Sequence, residues 1–124
     1  MEWNIALSFS ELKVSVTRVG QDYSVILQGG EKPHIGCTVL SVPRPSLTGD
    51  GSISATSSVL NMTGHKDEVL CRYLAEEICR KKRAVTVCSG GFHMDGITKE
   101  QIEEVKQAVR TISTDLDTIE TKEE

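Results

Sequence analysis

Aromatic residues are scarce in this sequence, which has one Trp, two Tyr and two Phe among 124 residues. Aliphatic side chains must therefore form most of any hydrophobic core. The sequence also lacks an apolar run of about 18 residues, the length that a membrane-spanning helix requires. Its first residues do not combine a basic segment with an apolar stretch. We therefore predict no secretory signal and expect a cytoplasmic protein.

The four cysteines lack the spacing of a redox or zinc motif, because none forms a Cys-x-x-Cys pair. Cys71 and Cys79 lie on one predicted helix, roughly 12 Å apart along its axis, whereas a disulfide requires Cα atoms within about 7 Å. All four are therefore predicted to be reduced thiols. The three histidines form no local ligand pair, so no metal site is predicted. Cys88 near His93 suggests a thiol nucleophile, and the alternative is a buried thiol that packs as a small hydrophobe.

The net charge of −4 argues against a general nucleic-acid-binding protein, which needs a clustered basic surface. The one basic run, residues 80–83, ends a predicted helix, where the helix dipole favours cations; an anion-binding patch is the alternative. The length predicts a single domain, residues 1–117. An acidic tail, residues 118–124, is expected to be frayed.

Alternating apolar and polar residues predict strands in the first half of the chain. Two prolines are expected to exclude regular structure at the start of the loop over residues 43–52. The strand after this loop carries hydroxyl residues where inward-facing apolar side chains are usual. The predicted strands are residues 11–19, 23–28, 34–42 and 53–62.

The second half of the chain predicts a helix over residues 65–83, a short buried strand over 84–88, and a final helix. Thr98 and Gln101 form a capping box at the start of that helix. Ser89-Gly90-Gly91 predicts a turn, or the second wall of a pocket.

The predicted class is α+β, with a single mainly antiparallel sheet, the order β-β-β-β-α-β-α, and two helices packed on one face. The other face then needs a cover. A second copy of the chain in a homodimer, or the aliphatic face of a larger protein, would supply it.

The segment from Arg44 to Asp67 concentrates a guanidinium, hydroxyls and glycines, with His65-Lys66-Asp67 at a helix start. Such a set suits a phosphate or a polar ring, because glycines allow close approach and an arginine can form a bidentate clamp. A solvated loop followed by an ordinary hydroxyl-rich edge strand is the other interpretation. No Rossmann fingerprint, catalytic triad spacing or standard phosphate-loop pattern is present.

Several motifs resemble those of the small LpdD-like family: Arg44-Pro45-Ser46-Leu47-Thr48-Gly49-Asp50-Gly51-Ser52, Ser54-Ala55-Thr56, Gly64-His65-Lys66-Asp67 and Ser89-Gly90-Gly91. The resemblance covers roughly residues 34–105. It implies an accessory protein of gallate-type, UbiD-like decarboxylases that acts as a chaperone for their prenylated flavin. The strand order also resembles that of proteasome-assembly-chaperone-like domains, which pair as dimers.

The resemblance favours a ligand site for prenylated FMN, or plain FMN, in a non-catalytic protein that delivers the cofactor to a decarboxylase. Arg44 and the loop residues would hold the phosphate, and the later residues would meet the polar edge of the ring. The candidate cofactor-binding residues are Arg44, Ser46, Thr48, Gly49, Asp50, Gly51, Ser52, Ser54, Thr56, His65, Lys66 and Asp67.

Two other functions remain open. One is a small decarboxylase or lyase in which His65 is the acid-base and Ser52 or Cys88 the covalent group. The other is a plain interaction subunit that binds no ligand.

Overall fold

The computed structural model describes residues 1–62 and 68–123. Over this part of the chain the elements are β1 (Glu2–Ala6), β2 (Glu11–Val19), β3 (Asp22–Gly30), β4 (Cys37–Pro45), β5 (Ile53–Asn61), α1 (Glu68–Lys82), β6 (Thr86–His93) and α2 (Lys99–Glu123). The α+β class is confirmed. The predicted element order was wrong, because it lacks β1.

Strand β1 could have been predicted from the same alternation that identifies β2. Trp3 and Ile5 alternate with polar residues, and they pair with Val14 and Leu12 of β2, respectively. Both side chains are half-buried against the core. The chain therefore gains an edge strand that shields the apolar side chains of β2.

The six strands form one sheet in the order β1-β2-β3-β6-β4-β5. Strand β6 runs parallel to β3 and antiparallel to β4, so the sheet is mixed, and the expectation of a mainly antiparallel sheet was wrong. The link over residues 31–36 makes this arrangement possible. It is long enough to span the distance of about 10 Å from β3 to β4, which leaves room for one strand between them. Helix α1 connects β5 to β6, and β6 occupies the position between β3 and β4.

One face of the sheet is buried beneath the two helices. The apolar side chains of β2, β3 and β4 on this face are at most 4% exposed, and they form one core with the apolar sides of α1 and α2. We call the opposite face the open face. There Ile26, Leu40 and Val42 remain 41–43% exposed. A cover for this face, as the sequence predicts, stays a prediction.

Glycines allow β3 and β6 to approach closely at the centre of the sheet. Gly90 has a φ of 146°, and a side chain at this position would overlap the carbonyl oxygen of Leu27. A side chain on Gly30 would likewise overlap the backbone of His93. The Ser89-Gly90-Gly91 segment therefore belongs to strand β6, and the prediction of a turn was wrong.

The capping box at the start of α2 is confirmed. The Gln101 N–H donates to Thr98 Oγ1 at 3.1 Å, and the Thr98 N–H donates to Gln101 Oε1 at 2.9 Å. Helix α2 continues to Glu123, past the domain boundary predicted at residue 117, and the frayed tail stays a prediction. The predicted start of α1 at residue 65 lies outside the described residues. No helix in residues 1–62 and 68–123 is long and apolar enough to cross a membrane.

A carboxylate joins the turn between β1 and β2 to α2. Ser8 donates both its backbone N–H and its hydroxyl to Glu104, each at 2.6 Å. These two bonds hold the pKa of Glu104 below its ordinary value. The first hairpin is thereby attached to the last helix of the domain.

Candidate functional site

Arg44 lies near the end of β4, between two prolines and opposite Ser54 of β5. The prolines were expected to exclude a strand here, and this expectation was wrong, since β4 continues through Pro45. Pairing between β4 and β6 ends at Ser41. Pro43 and Pro45, which have no N–H to donate, therefore face a side where none of the described strands lies beside them. The strand therefore tolerates Pro43 and Pro45, which restrict the backbone on either side of Arg44.

The Arg44 side chain lies across the open face toward β5. Its Nε donates to Oγ1 of Thr56 at 2.8 Å, and its Nη1 donates to the carbonyl oxygen of Pro45 at 3.2 Å. In the part of the chain that the structure describes, Nη2 makes no hydrogen bond or ion pair. The guanidinium is therefore oriented by the protein and retains N–H donors for a phosphate or carboxylate.

The hairpin tip, residues 46–52, is closed by its own hydrogen bonds. The Ser46 N–H donates to the carbonyl oxygen of Ser52 at 2.9 Å, and the hydroxyl oxygens of Ser46 and Thr48 are 2.9 Å apart. Gly49 and Gly51 have φ values of 72° and 81°, so the turn itself requires glycine there. These residues lie close together in the tip. The N–H groups of Ser46, Thr48, Gly49 and Ser52 already have partners within it.

Asp50 places a negative charge in this tip. Ser52 donates its hydroxyl at 2.6 Å and its N–H at 3.0 Å to the same oxygen of Asp50. Hydrogen bonds from the Ser52 hydroxyl first, and from the backbone and Thr48 next, hold the pKa of Asp50 below its ordinary value. An ionised Asp50 repels a phosphate, so the tip is a weaker phosphate site than Arg44.

The hydroxyl residues of β5 divide between the two sheet faces. Ser54 and Thr56 lie on the open face with Arg44. Ser57 faces the helices, where its hydroxyl donates to Glu76 of α1 at 2.6 Å and lies 2.8 Å from the hydroxyl of the fully buried Ser41. The inward-facing hydroxyl that is unusual for a structural strand is therefore explained by a carboxylate beneath it.

An aliphatic platform lies beside Arg44 on the open face, and sequence reasoning missed it. Leu40 of β4 pairs with Val87 of β6, and Val42 follows Leu40 on the same face. Next to them, Thr38 Oγ1 and Ser89 Oγ are 2.9 Å apart. The sequence did contain a signal for it: residues 39–42 are apolar except for Ser41, so both faces of this strand carry apolar side chains. The parallel insertion of β6 completes the platform and could not be read from that run.

The remaining predicted residues fall into two groups. His65, Lys66 and Asp67 lie outside the described residues. Cys88 is fully buried and faces the helices, whereas His93, five residues along β6, lies on the open face. All four cysteines are free and buried, and burial raises the pKa of Cys79.

A groove of about 160 Å³ lies elsewhere, between α1 and α2. Its lining includes none of the candidate cofactor-binding residues that the structure describes. Within residues 1–62 and 68–123, no group of three or more His, Cys, Asp or Glu side chains is arranged to hold a metal ion. The groove is lined by Val69, Leu70, Tyr73, Lys106, Val109 and Arg110.

These features define a small α+β domain with an exposed sheet face that combines one oriented arginine, hydroxyls and aliphatic side chains. A family model described as the prenylated flavin chaperone LpdD-like domain matches residues 8–119. The chain therefore belongs to this family, as the resemblance implies. The match includes the β2–β3 hairpin, which lies outside the motifs that carry the resemblance. No curated protein matches the chain in a sequence search.

Proposed function

We propose that this protein binds prenylated FMN on the open face and delivers it to a UbiD-like decarboxylase. The observation that carries the proposal is the position of Arg44, which lies on the same face as hydroxyls and an aliphatic platform. Membership of a family described as prenylated flavin chaperones supports the choice of ligand.

The donor set fits the phosphate end of such a cofactor. Arg44 is half-buried and held by Thr56, and Ser54 lies opposite it on β5. A charge-assisted hydrogen bond to an oriented guanidinium is shorter and stronger than one between neutral groups. We therefore assign the phosphate first to Arg44, Ser54 and Thr56. The tip residues contribute only if their internal hydrogen bonds open.

The platform fits the planar part of the cofactor. Leu40, Val42 and Val87 offer apolar side chains, and Thr38 and Ser89 offer hydroxyls at one edge. The bound cofactor would contribute its chemistry only within the decarboxylase, since a carrier needs to supply binding and protection. No aromatic residue belongs to this platform, so the flavin would be covered from one side only. An acceptor enzyme could then contact the exposed side, which supports a role in delivery.

The compartment and the assembly are also parts of the proposal. Four buried free thiols fit a reducing compartment such as the cytoplasm. A homodimer is expected because a sheet with an open face and exposed edges has surface available for a second copy.

Retention of the cofactor tests the proposal directly. Purified protein mixed with reduced prenylated FMN should leave a desalting column as a coloured complex, and it should then restore activity to a decarboxylase apoenzyme. The matched control for Arg44→Ala is Arg72→Ala, which removes an arginine on α1 that pairs with Glu68 at 2.7 Å. Equal retention by the two variants would contradict the assignment of Arg44.

Two outcomes would favour the other functions. If no flavin is retained while the decarboxylase still binds the protein, the open face serves as a plain interaction surface. If intact mass shows a self-processed chain, or carbon dioxide is released without a partner enzyme, the protein is a lyase. The open face supports the plain interaction subunit as the second candidate function, because its residues are accessible to a partner protein.

A further inference from the structure

Strand β5 is an edge of the sheet, and within residues 1–62 and 68–123 its backbone groups on one side have no hydrogen-bond partner. The Ser46 N–H bonds to Ser52 and the Met62 N–H bonds to Gly36, both across the β4–β5 ladder. In a strand, successive residues direct their backbone N–H and C=O groups to opposite sides. The residues that direct them toward β4 are therefore Ser54, Thr56, Ser58 and Leu60. The residues that direct theirs outward are Ile53, Ala55, Ser57, Val59 and Asn61.

The residues of β5 themselves lack the usual protection against pairing with another strand. Natural edge strands are short, or carry charges, prolines or bulges. Strand β5 has nine residues and contains neither a charge nor a proline. The other edge, β1, has five residues and begins with Glu2. Within residues 1–62 and 68–123, no group bonds to the outward side of β5.

We propose that β5 pairs antiparallel with β5 of a second copy, about a two-fold axis at Ser57. This register places each outward residue opposite an outward residue, as two-way hydrogen bonding requires. It is also the register in which all nine residues pair. The resulting pairs are Ile53 with Asn61, Ala55 with Val59, and Ser57 with itself.

The side chains in this register are complementary between the two copies. Small residues meet larger ones, since Ser54 lies opposite Leu60 and Ala55 opposite Val59. Thr56 lies opposite Ser58, a hydroxyl pair that can form hydrogen bonds across the strands. Leu60, which is 76% exposed in one chain, gains a neighbour. The strand carries no charge of its own, so no two charged side chains of β5 meet, and a second copy is a suitable occupant.

The helices leave room for this pairing. Helix α1 contacts β4, β5 and β6, so it lies beneath β4, the middle strand of the three. In the paired sheet, β4 and its symmetry mate are three strand spacings apart, or about 14 Å. Packed helices need only about 8–10 Å between their axes. The two-fold axis is perpendicular to the sheet, so both open faces lie on the same side and remain uncovered.

Ala55→Pro tests this interface, with Ala55→Ser as the matched control. Proline removes the outward N–H at residue 55 and leaves the bonds to β4, which come from the neighbouring residues. The two-fold axis removes that bond twice, so the dimer dissociation constant measured by analytical ultracentrifugation should rise roughly ten- to hundredfold. The serine variant should dimerise like the natural chain. A dimer that is unaffected by Ala55→Pro, or a natural chain that is monomeric up to about 1 mM, would overturn the proposal.

Amide hydrogen exchange of the natural chain gives a second readout that needs no variant. In a monomer, the amides of Ala55, Ser57 and Val59 should exchange fast, and those of Thr56 and Ser58 slowly. Pairing of β5 should protect both sets at concentrations where the dimer forms. Fast exchange at the outward positions of a dimer would show that another surface is used. Both measurements are made without flavin, so their outcome is independent of the proposed function.

Discussion

Replacing Arg44 with alanine separates ligand binding from stability. Within the described residues, Arg44 makes two hydrogen bonds, to Thr56 and to the carbonyl of Pro45. Both are exposed to solvent, so water can replace them. Arg44 is absent from the set of buried core residues. A surface substitution of this kind changes the free energy of unfolding by about 0.5 kcal/mol or less.

The loss of affinity should be much larger than the loss of stability. An oriented guanidinium bonded to a phosphate contributes roughly 1.5–3 kcal/mol, which corresponds to about ten- to hundredfold in the dissociation constant. Arg44→Lys should recover only part of this, because an ammonium cannot form the planar fork. It also lacks the Nε–H that Arg44 donates to Thr56 at 2.8 Å. Thr56→Val should therefore weaken binding in the natural chain and have a smaller effect in Arg44→Lys.

The assay is fluorescence titration of FMN and of prenylated FMN, with urea unfolding of each variant in parallel. A phosphate role requires that riboflavin, which lacks the phosphate, binds the natural chain and Arg44→Ala equally. If Arg44→Ala weakens the binding of riboflavin as much as that of FMN, the guanidinium contacts the ring or maintains the shape of the hairpin. If it weakens neither, Arg44 does not belong to the site.

Three further predictions concern the scaffold around the site. Gly90→Ala should prevent folding or destabilise the protein by more than about 4 kcal/mol, because its Cβ would overlap the Leu27 carbonyl; yield and thermal melting measure this. Ser57→Ala should lower the free energy of unfolding by about 1–3 kcal/mol in urea titrations, since it leaves the Glu76 carboxylate without its hydroxyl donor. Glu104→Gln should lower the urea midpoint at pH 7. The pKa of Glu104 is lower in the folded protein than in the unfolded chain, so the ionised carboxylate stabilises the fold above the unfolded pKa. Protonation removes this stabilisation as the pH falls through the folded pKa, and the difference between the variants should therefore shrink below about pH 4.

Each scaffold prediction has a matched control. Gly20→Ala tests positive φ without a clash, since Gly20 has a φ of 63° and open space around it; its cost should be about 1 kcal/mol. Ser58→Ala removes an exposed hydroxyl beside Ser57 and should be nearly neutral. Glu103→Gln changes a charge on the same turn of α2 that makes no bond to the first hairpin. Controls as damaging as their partners would show that the named contacts are not the cause.

The elements with local signals could be predicted from the sequence. The capping box at Thr98 and the apolar repeat of α2 need no information from the rest of the chain, and the structure contains both. The alternation in β2 is similarly local. The motif around Arg44 was identified without structural information, because a guanidinium among glycines and hydroxyls is a chemical signal that does not depend on the fold.

The elements that depend on non-local pairing could not be predicted. Strand β6 occupies the position between β3 and β4, and nothing in residues 86–93 states which strands flank it. The two prolines illustrate the same limit, because Pro43 and Pro45 are excluded from a central strand and tolerated where the neighbouring strand has ended. Ser57 and Thr56 are adjacent and chemically alike, yet one bonds to a buried carboxylate and the other to Arg44. Only the sheet pairing separates their roles.

The two proposed surfaces lead to a last prediction about their independence. A homodimer formed through the open face would cover Leu40 and Val42, whereas pairing through β5 leaves them accessible for a flavin and an acceptor enzyme. Edge pairing therefore predicts the same FMN dissociation constant below and above the protein concentration at which the dimer forms. Titrations at both concentrations, with the mass of the complex measured in each, provide the comparison. Binding that weakens as the dimer forms would show that the open face itself is the interface, and binding that appears only in the dimer would show that each site needs residues from both copies.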